Sequence, residues 1–387
     1  MRLISGTGQF QIGGHPYEGF PILLWDTMGS CVPANKFFRY YLLRGAIGSK
    51  KSWSCTSRAL YDYFSFLQAH DLLWDEVDRG EEKTLLTAYR DYSFEIGNLS
   101  LNTVRNRLLY ICEFYSYALG QGWIKNLPFS FVTRRSLRRT GGFLSHTSGV
   151  QEVRERDVMP RPRNTLPKFL SSLQKQALME AAANPHHHII LRLALGSGLR
   201  KEELATFPLA YVENPNRLSK SIRNVRIHLD PSDGQGMRTK GNKPRPIYIT
   251  RRLMEDLHYY ATHYRGERAM MSYESQSPLF LNQNGNPYAS DGKSLDRIVR
   301  LIGQKAGIQT WTHLLRHTYA THTLLALQRN RASNRLEPLV FLQRQLGHAS
   351  IETTMIYLHL INEIADQAVM DYDDELNDFA ESIHGEA

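Results

Sequence analysis

"HLLRHTYATH", residues 313–322, sets three histidines and one arginine within ten residues. His313 and His317 are four apart, a spacing that stacks two imidazoles on one helix face. Such a stretch can hold a metal, can be a helix carrying structural histidines, or can grip an anion. The zinc-protease arrangement needs Glu directly after the first His, and position 314 is Leu. No Cys or carboxylate stands nearby as a third ligand, and Arg316, permanently cationic, would repel a bound cation. The stretch therefore implies no metal. His317 and His322 read as structural. Arg316 offers a planar fork matched to phosphate oxygens, and His313, three residues earlier, shares its face.

The rest of the chain supplies the context for an anion. It has 387 residues, more than one core of ordinary size, so two domains are expected. Apolar residues make up 42%, which excludes global disorder. No run of apolar residues is long enough to span a bilayer and no secretory leader is evident, so no membrane is implied. Cys31, Cys55 and Cys112 are odd in number and far apart, which fits a reducing cytoplasm, so the expected location is cytoplasmic and nucleoid-associated. Net charge is +9, and it is uneven. Residues 360–387 hold nine acids and no Lys or Arg, which leaves 47 basic against 29 acidic residues elsewhere, +18. A basic body points to a polyanionic partner.

Residues 1–33 form a Gly-rich N-terminal extension whose structure the pattern does not specify. Residues 34–126 read as a small helical domain. Leu60, Phe64 and Leu67 fall at helical spacing, as do Val104, Leu108, Ile111 and Tyr115 behind a cap at Ser100 or Asn102. Arg105 and Arg107 would lie on its polar side. Residues 127–164, with "TRRSLRRTGG" and "RERDVMPRPRN", read as a basic linker. A second domain, 165–387, opens near a cap at Thr165 or Ser171, with Leu173, Leu178 and Met179 as its apolar positions. The period changes to two in "SIRNVRIHLD" and "KPRPIYIT", with "TKGNK" as the turn and Pro244 and Pro246 confining the second strand to a sheet edge. Helical periodicity resumes at Arg251 and continues to an acidic helix at 360–387.

Three short motifs follow one another in this second domain: "GLRKEEL" with Arg200, "TKGNKPRPI" with Lys240, and, after "HLLRHTYATH", "LGHAS" with His348 and "TTMIYLH" with Tyr357. Each alone is weak. In this order they resemble the tyrosine recombinases, the phage integrase family, over about residues 165–360. The resemblance implies a helical core-binding (SAM-like) domain followed by a mixed, mainly α, catalytic domain with a small antiparallel sheet, closing as a C-shaped clamp on DNA.

It also implies a chemistry and six catalytic residues: Arg200, Lys240, His313, Arg316, His348 and Tyr357. Tyr357 would attack a phosphodiester and store the bond as a 3′-phosphotyrosine. Arg200 and Arg316 would clamp the non-bridging oxygens. His313 would add a hydrogen bond and help accept the tyrosine proton, His348 would bond the phosphate, and Lys240, preferred to Lys243, would protonate the leaving oxygen. Glu203 would orient Arg200. No cofactor is implied. The partner would be double-stranded DNA with specific recombination sites, bound by a homotetramer that exchanges C-terminal helices and passes through a Holliday junction. "RNRASNR", residues 329–335, reads as a loop insertion beyond the family pattern. The expected role is integration and excision of a mobile element. The alternatives are a chromosome- or plasmid-dimer resolvase, a type IB topoisomerase-like enzyme, a non-cleaving DNA-binding regulator and an RNA-binding protein.

Overall fold

In the computed structural model, described for residues 1–43, 50–136, 151–162, 166–329 and 337–362, the chain divides into two compact units, Met1–Asn164 and Thr165–Ala387. Both are mainly helical with small antiparallel sheets. Among the described residues no helix is long and apolar enough to cross a membrane.

The first unit holds strands β1 (Arg2–Ser5), β2 (Gln11–Ile12), β3 (His15–Pro16) and β4 (Pro21–Leu24), then helices α1 (Val32–Leu42), α2 (Lys51–Ala69), α3 (Leu85–Glu95) and α4 (Leu101–Gly120). Ser100 caps α4 by accepting the Thr103 N–H, as its position predicts. Val104, Leu108, Ile111 and Tyr115 are all fully buried, one apolar stripe about three turns long. The Gly-rich opening residues have a defined structure: β1 pairs with β4 and β2 with β3, and Phe20 and Leu23 enter the same core as α1, α2 and α4.

Two features add detail that the sequence reading did not specify. The stretch expected to be a linker contains a hairpin, β5 (Phe131–Ser136) against β6 (Gln151–Arg156), paired from Phe131↔Arg156 to Ser136↔Gln151. It is anchored by Phe129 and Val158, both buried in the core of this unit. Arg105 and Arg107 find partners within the protein: Arg105 donates to the Pro160 carbonyl, and Arg107 pairs with Asp62.

The second unit runs α5 (Ser172–Ala181), α6 (Pro185–Ser197), α7 (Lys201–Ala205), β7 (Asn224–Leu229), β8 (Arg245–Thr250), α8 (Arg251–His263), α9 (Arg265–Ala269), α10 (Lys293–Lys305), α11 (Thr312–Arg329) and α12 (Pro338–Leu346), with residues 352–362 also helical. Ser171 and Gln174 form a reciprocal capping box at the start of α5. β7 and β8 pair antiparallel from Asn224↔Thr250 to Leu229↔Arg245, and Val225, Ile227, Leu229, Ile247 and Ile249 point inward at period two. Helix is not continuous after Arg251, because turns and isolated bridges occupy the stretch between α9 and α10.

The free edge of β8 is closed by a side chain. Gln345, on α12 and 1% exposed, accepts the Tyr248 N–H through Oε1 at 2.8 Å and donates through Nε2 to the Tyr248 carbonyl at 3.0 Å. It thus does for β8 what a third strand would, and it fixes α12 to the sheet. The "RNRASNR" insertion from residue 330 on, and the acidic helix beyond residue 362, lie outside the described residues.

The two leucines of α5 part company. Leu178 is fully buried, whereas Leu173, expected in the same stripe, is 79% exposed. Leu178→Ala is therefore expected to destabilise this unit by about 2–5 kcal/mol, and Leu173→Ala by no more than about 0.5 kcal/mol. Chemical denaturation of the two variants checks this, and equal losses would contradict the assigned face.

Candidate active site

Two helices of the second unit, α6 and α12, end on a glycine in the left-handed conformation: Gly198 at φ 67° and Gly347 at φ 64°. A Cβ at Gly198 would stand 2.4 Å from Tyr319 Cδ1, and one at Gly347 2.7 Å from Arg245 Cδ. Backbone hand and close packing both require glycine there, which explains the glycines of "GSGLR" and "LGH". Each turn also leaves helix-end carbonyls to be satisfied. Arg316 donates through Nη1 to the Gly198 carbonyl and through Nη2 to the Leu346 carbonyl, both at 2.6 Å. Arg200 donates through Nη2 to the Gly347 carbonyl at 3.0 Å. Arg316, 1% exposed, is a strap across both helix ends.

Glu203 lies beneath these arginines with no exposed surface. It accepts Arg245 Nη1 and Nη2 at 2.7 Å each, Arg200 Nη1 at 3.1 Å and the Arg200 backbone N–H at 2.8 Å. Burial pushes its carboxyl up, but the Arg245 fork and the charges of Arg245 and Arg200 outweigh this and hold it below the ordinary carboxylate value. Among the described residues Arg316 has no such partner. Burial, then the neighbouring Arg200 charge, brings its guanidinium down to about 9. Three guanidiniums thus lie around one carboxylate, which pairs with two of them, Arg245 and Arg200.

Tyr357, in helical residues 352–362, is 2% exposed. Its Oη lies 2.9 Å from His317 Nδ1, and its ring runs parallel to that of His348, centroids 6.3 Å apart at 8°. Burial raises the phenol while Arg316 and Arg200 oppose the rise, leaving it above its ordinary value. His348 Nδ1 meets Thr354 Oγ1 at 2.9 Å. Burial first, then Arg316 and Arg200, depresses His348 to about 3, and burial, then His313 and Arg316, depresses His317 to about 4. His313 and His317 stack edge to face 4.3 Å apart, as their spacing predicts.

Arg200, His313, Arg316, His348 and Tyr357 therefore surround one region of the second unit. Lys240 stands apart. It is exposed at the start of the turn Lys240–Asn242 between β7 and β8, and among the described residues no hydrogen bond ties it to the other five. Glu203 holds Arg200 as expected. Three contributors escaped the sequence reading: Arg245, Gln345 and His317. The sequence marks His317 as structural and His313 as a group that helps accept the tyrosine proton, whereas the imidazole bonded to Tyr357 Oη is His317. Its place beside Arg316 on the same face as His313 was the available signal. His322 bonds the Leu170 carbonyl at 2.8 Å, a structural role.

Residues 168–363 match the phage integrase family. The chain belongs to that family, the tyrosine recombinases. These are DNA strand-exchange enzymes. Similar curated proteins include the tyrosine recombinase XerA of Pyrococcus horikoshii, 25% identical over 71% of this chain and 89% of the relative, and XerC of Bacillus subtilis, 25% identical over 72% and 77%. Among solved structures, the XerH recombinase bound to its palindromic difH substrate shares the fold at a TM-score of 0.55, with 18% identity over 87% of this chain and 82% of that one. The Tn1549 transposon integrase in complex with transposon right end DNA also scores 0.55, with 19% identity over 84% and 93%.

Because the folded-state pKa of Glu203 lies below its ordinary 4.5, its stabilisation is complete above that pH and disappears as pH falls through the folded value. Glu203→Gln leaves buried guanidiniums facing a neutral amide and is expected to cost the recombinase about 3 kcal/mol near neutral pH. The gap to wild type should narrow on acidification. Denaturation curves at a series of pH values test this, and a gap that is the same at every pH would refute it.

Proposed function

We propose that this recombinase cuts and rejoins DNA at specific sites through a 3′-phosphotyrosine, with Arg200, Lys240, His313, Arg316, His348 and Tyr357 as its working residues. The observation that carries the reading is the excess of buried positive charge beside a tyrosine hydroxyl. Arg316 is almost wholly buried and, among the described residues, has no carboxylate partner, and Arg200 shares its carboxylate with Arg245. A buried guanidinium is costly unless an anion offsets it, and a phosphodiester would supply that anion.

In this reading Tyr357 Oη forms a bond to phosphorus as the P–O5′ bond breaks. The electron pair goes to O5′, which takes a proton from Lys240. Arg200 and Arg316 hold the non-bridging oxygens, where charge gathers in the transition state. His313 and His348 add hydrogen bonds to the same phosphate. The free 5′ hydroxyl of a partner strand then reverses the step, so neither water nor a cofactor is consumed. Lys240, exposed on its turn, would approach only with DNA in place.

The wider assembly belongs to the same proposal: the two units closing as a clamp on a duplex, four protomers acting through a Holliday junction, and residues 360–387 docking on the next protomer. The basic 127–164 segment and the 1–33 extension, longer than a minimal family member needs, support service to a mobile element, by integration and excision, over dimer resolution. Recombination between sites on separate molecules, as against resolution of sites on one molecule, separates the two.

A duplex selected by binding from a random-sequence library, nicked to make a suicide substrate, tests the chemistry. Wild type should form a covalent protein–DNA adduct and Tyr357→Phe none. An undiminished adduct with Tyr357→Phe would overturn the assignment, and relaxation of supercoiled DNA without any selected site would favour the topoisomerase reading.

A further inference from the structure

We propose that His317 takes the Tyr357 proton during strand cleavage and returns it during rejoining. This rests on the reading of Tyr357 as nucleophile and adds a residue to it. Among the described residues the hydrogen-bond partner of Tyr357 Oη is His317 Nδ1, at 2.9 Å, on a contact that joins helical residues 352–362 to α11. A proton acceptor must lie within hydrogen-bond reach of the proton it removes, and His317 does so with its ring 5.7 Å from the phenol ring.

The surroundings decide when the transfer is possible. His317 faces His313 and Arg316 from its own helix, and the same cluster holds Arg200 at the N-cap of α7, Glu203 from α7, Arg245 from β8, and His348 after α12. Positive charges outnumber the single carboxylate, so an imidazolium at 317 is unfavourable while no anion is bound. A phosphodiester between Arg200 and Arg316 changes that balance. The proton then passes from Tyr357 Oη to His317 Nδ1 as the Oη–P bond forms and the P–O5′ bond breaks. In rejoining, a 5′ hydroxyl attacks phosphorus, the Oη–P bond breaks, and Oη recovers the proton from His317. The tyrosine is thereby kept protonated until a phosphate arrives, which couples nucleophile activation to DNA binding.

His317→Asn retains a polar group near Nδ1 but cannot accept a proton, and His317→Ala leaves space for added imidazole. Both are compared with wild type on the nicked suicide duplex in single-turnover adduct formation across a pH series. DNA affinity and melting temperature are measured alongside. The expected result for His317→Asn is wild-type affinity, a cleavage rate lower by on the order of 10²-fold, and loss of the pH-dependent limb that reports a base. Imidazole should partly restore His317→Ala. Undiminished cleavage by His317→Asn would overturn the proposal. So would a loss in His317→Ala that imidazole leaves untouched while the pH limb persists, since that marks a packing role. Failure of the underlying reading has a separate signature, an adduct formed by Tyr357→Phe.

Discussion

Among the described residues, Glu203 is the one carboxylate shared by Arg245 and Arg200 in the interior of the second unit, and Arg316 lies beside them bonded only to carbonyls. The local architecture depends on that shortage. The Arg245 fork fixes the start of β8 on Glu203, Arg200 reaches from Glu203 to the turn after α12, and Arg316 ties the ends of α6 and α12. Gly198 and Gly347 make those helix ends possible, because their left-handed turns aim the last carbonyls at the arginines. Gln345 adds the remaining connection, from α12 to the open edge of β8.

In the proposed reading, a site built this way is completed by an anion. Buried guanidiniums satisfied by neutral carbonyls are held in geometry but not in charge. Burial, reinforced by the same positive surplus, keeps His317 and His348 well below their ordinary values. In the proposed reaction, the features that leave positive charge uncompensated in the free protein are those that would favour a phosphate and, with it, the activation of Tyr357.

Much of this was legible in the sequence, and the reason is local. Arg200, Arg316, His348 and Tyr357 sit in short motifs whose glycines and spacings are set by neighbouring residues. Arg245 and Gln345 were not legible, since their partners lie 42 and 97 residues away and no periodicity marks them. His317 shares a face with His313, but which of the two meets Tyr357 depends on how residues 352–362 cross α11, a tertiary fact. The β5–β6 hairpin escaped because both of its faces are mostly polar, so "FVTRRS" and "QEVRER" lack the alternation that betrays a half-buried strand. Leu173 failed for the opposite reason: helical spacing marks a stripe but does not say where the stripe runs out of protein to pack against.

The central claim is that Arg200 and Arg316 await the phosphate on which Tyr357 acts. A structure of the Tyr357→Phe protein on its selected duplex measures this directly. The account predicts one backbone phosphate with non-bridging oxygens about 2.7–2.9 Å from both guanidiniums, beside the residue 357 ring. Phosphates held only elsewhere, with Arg316 still bonded solely to the Gly198 and Leu346 carbonyls, would contradict it.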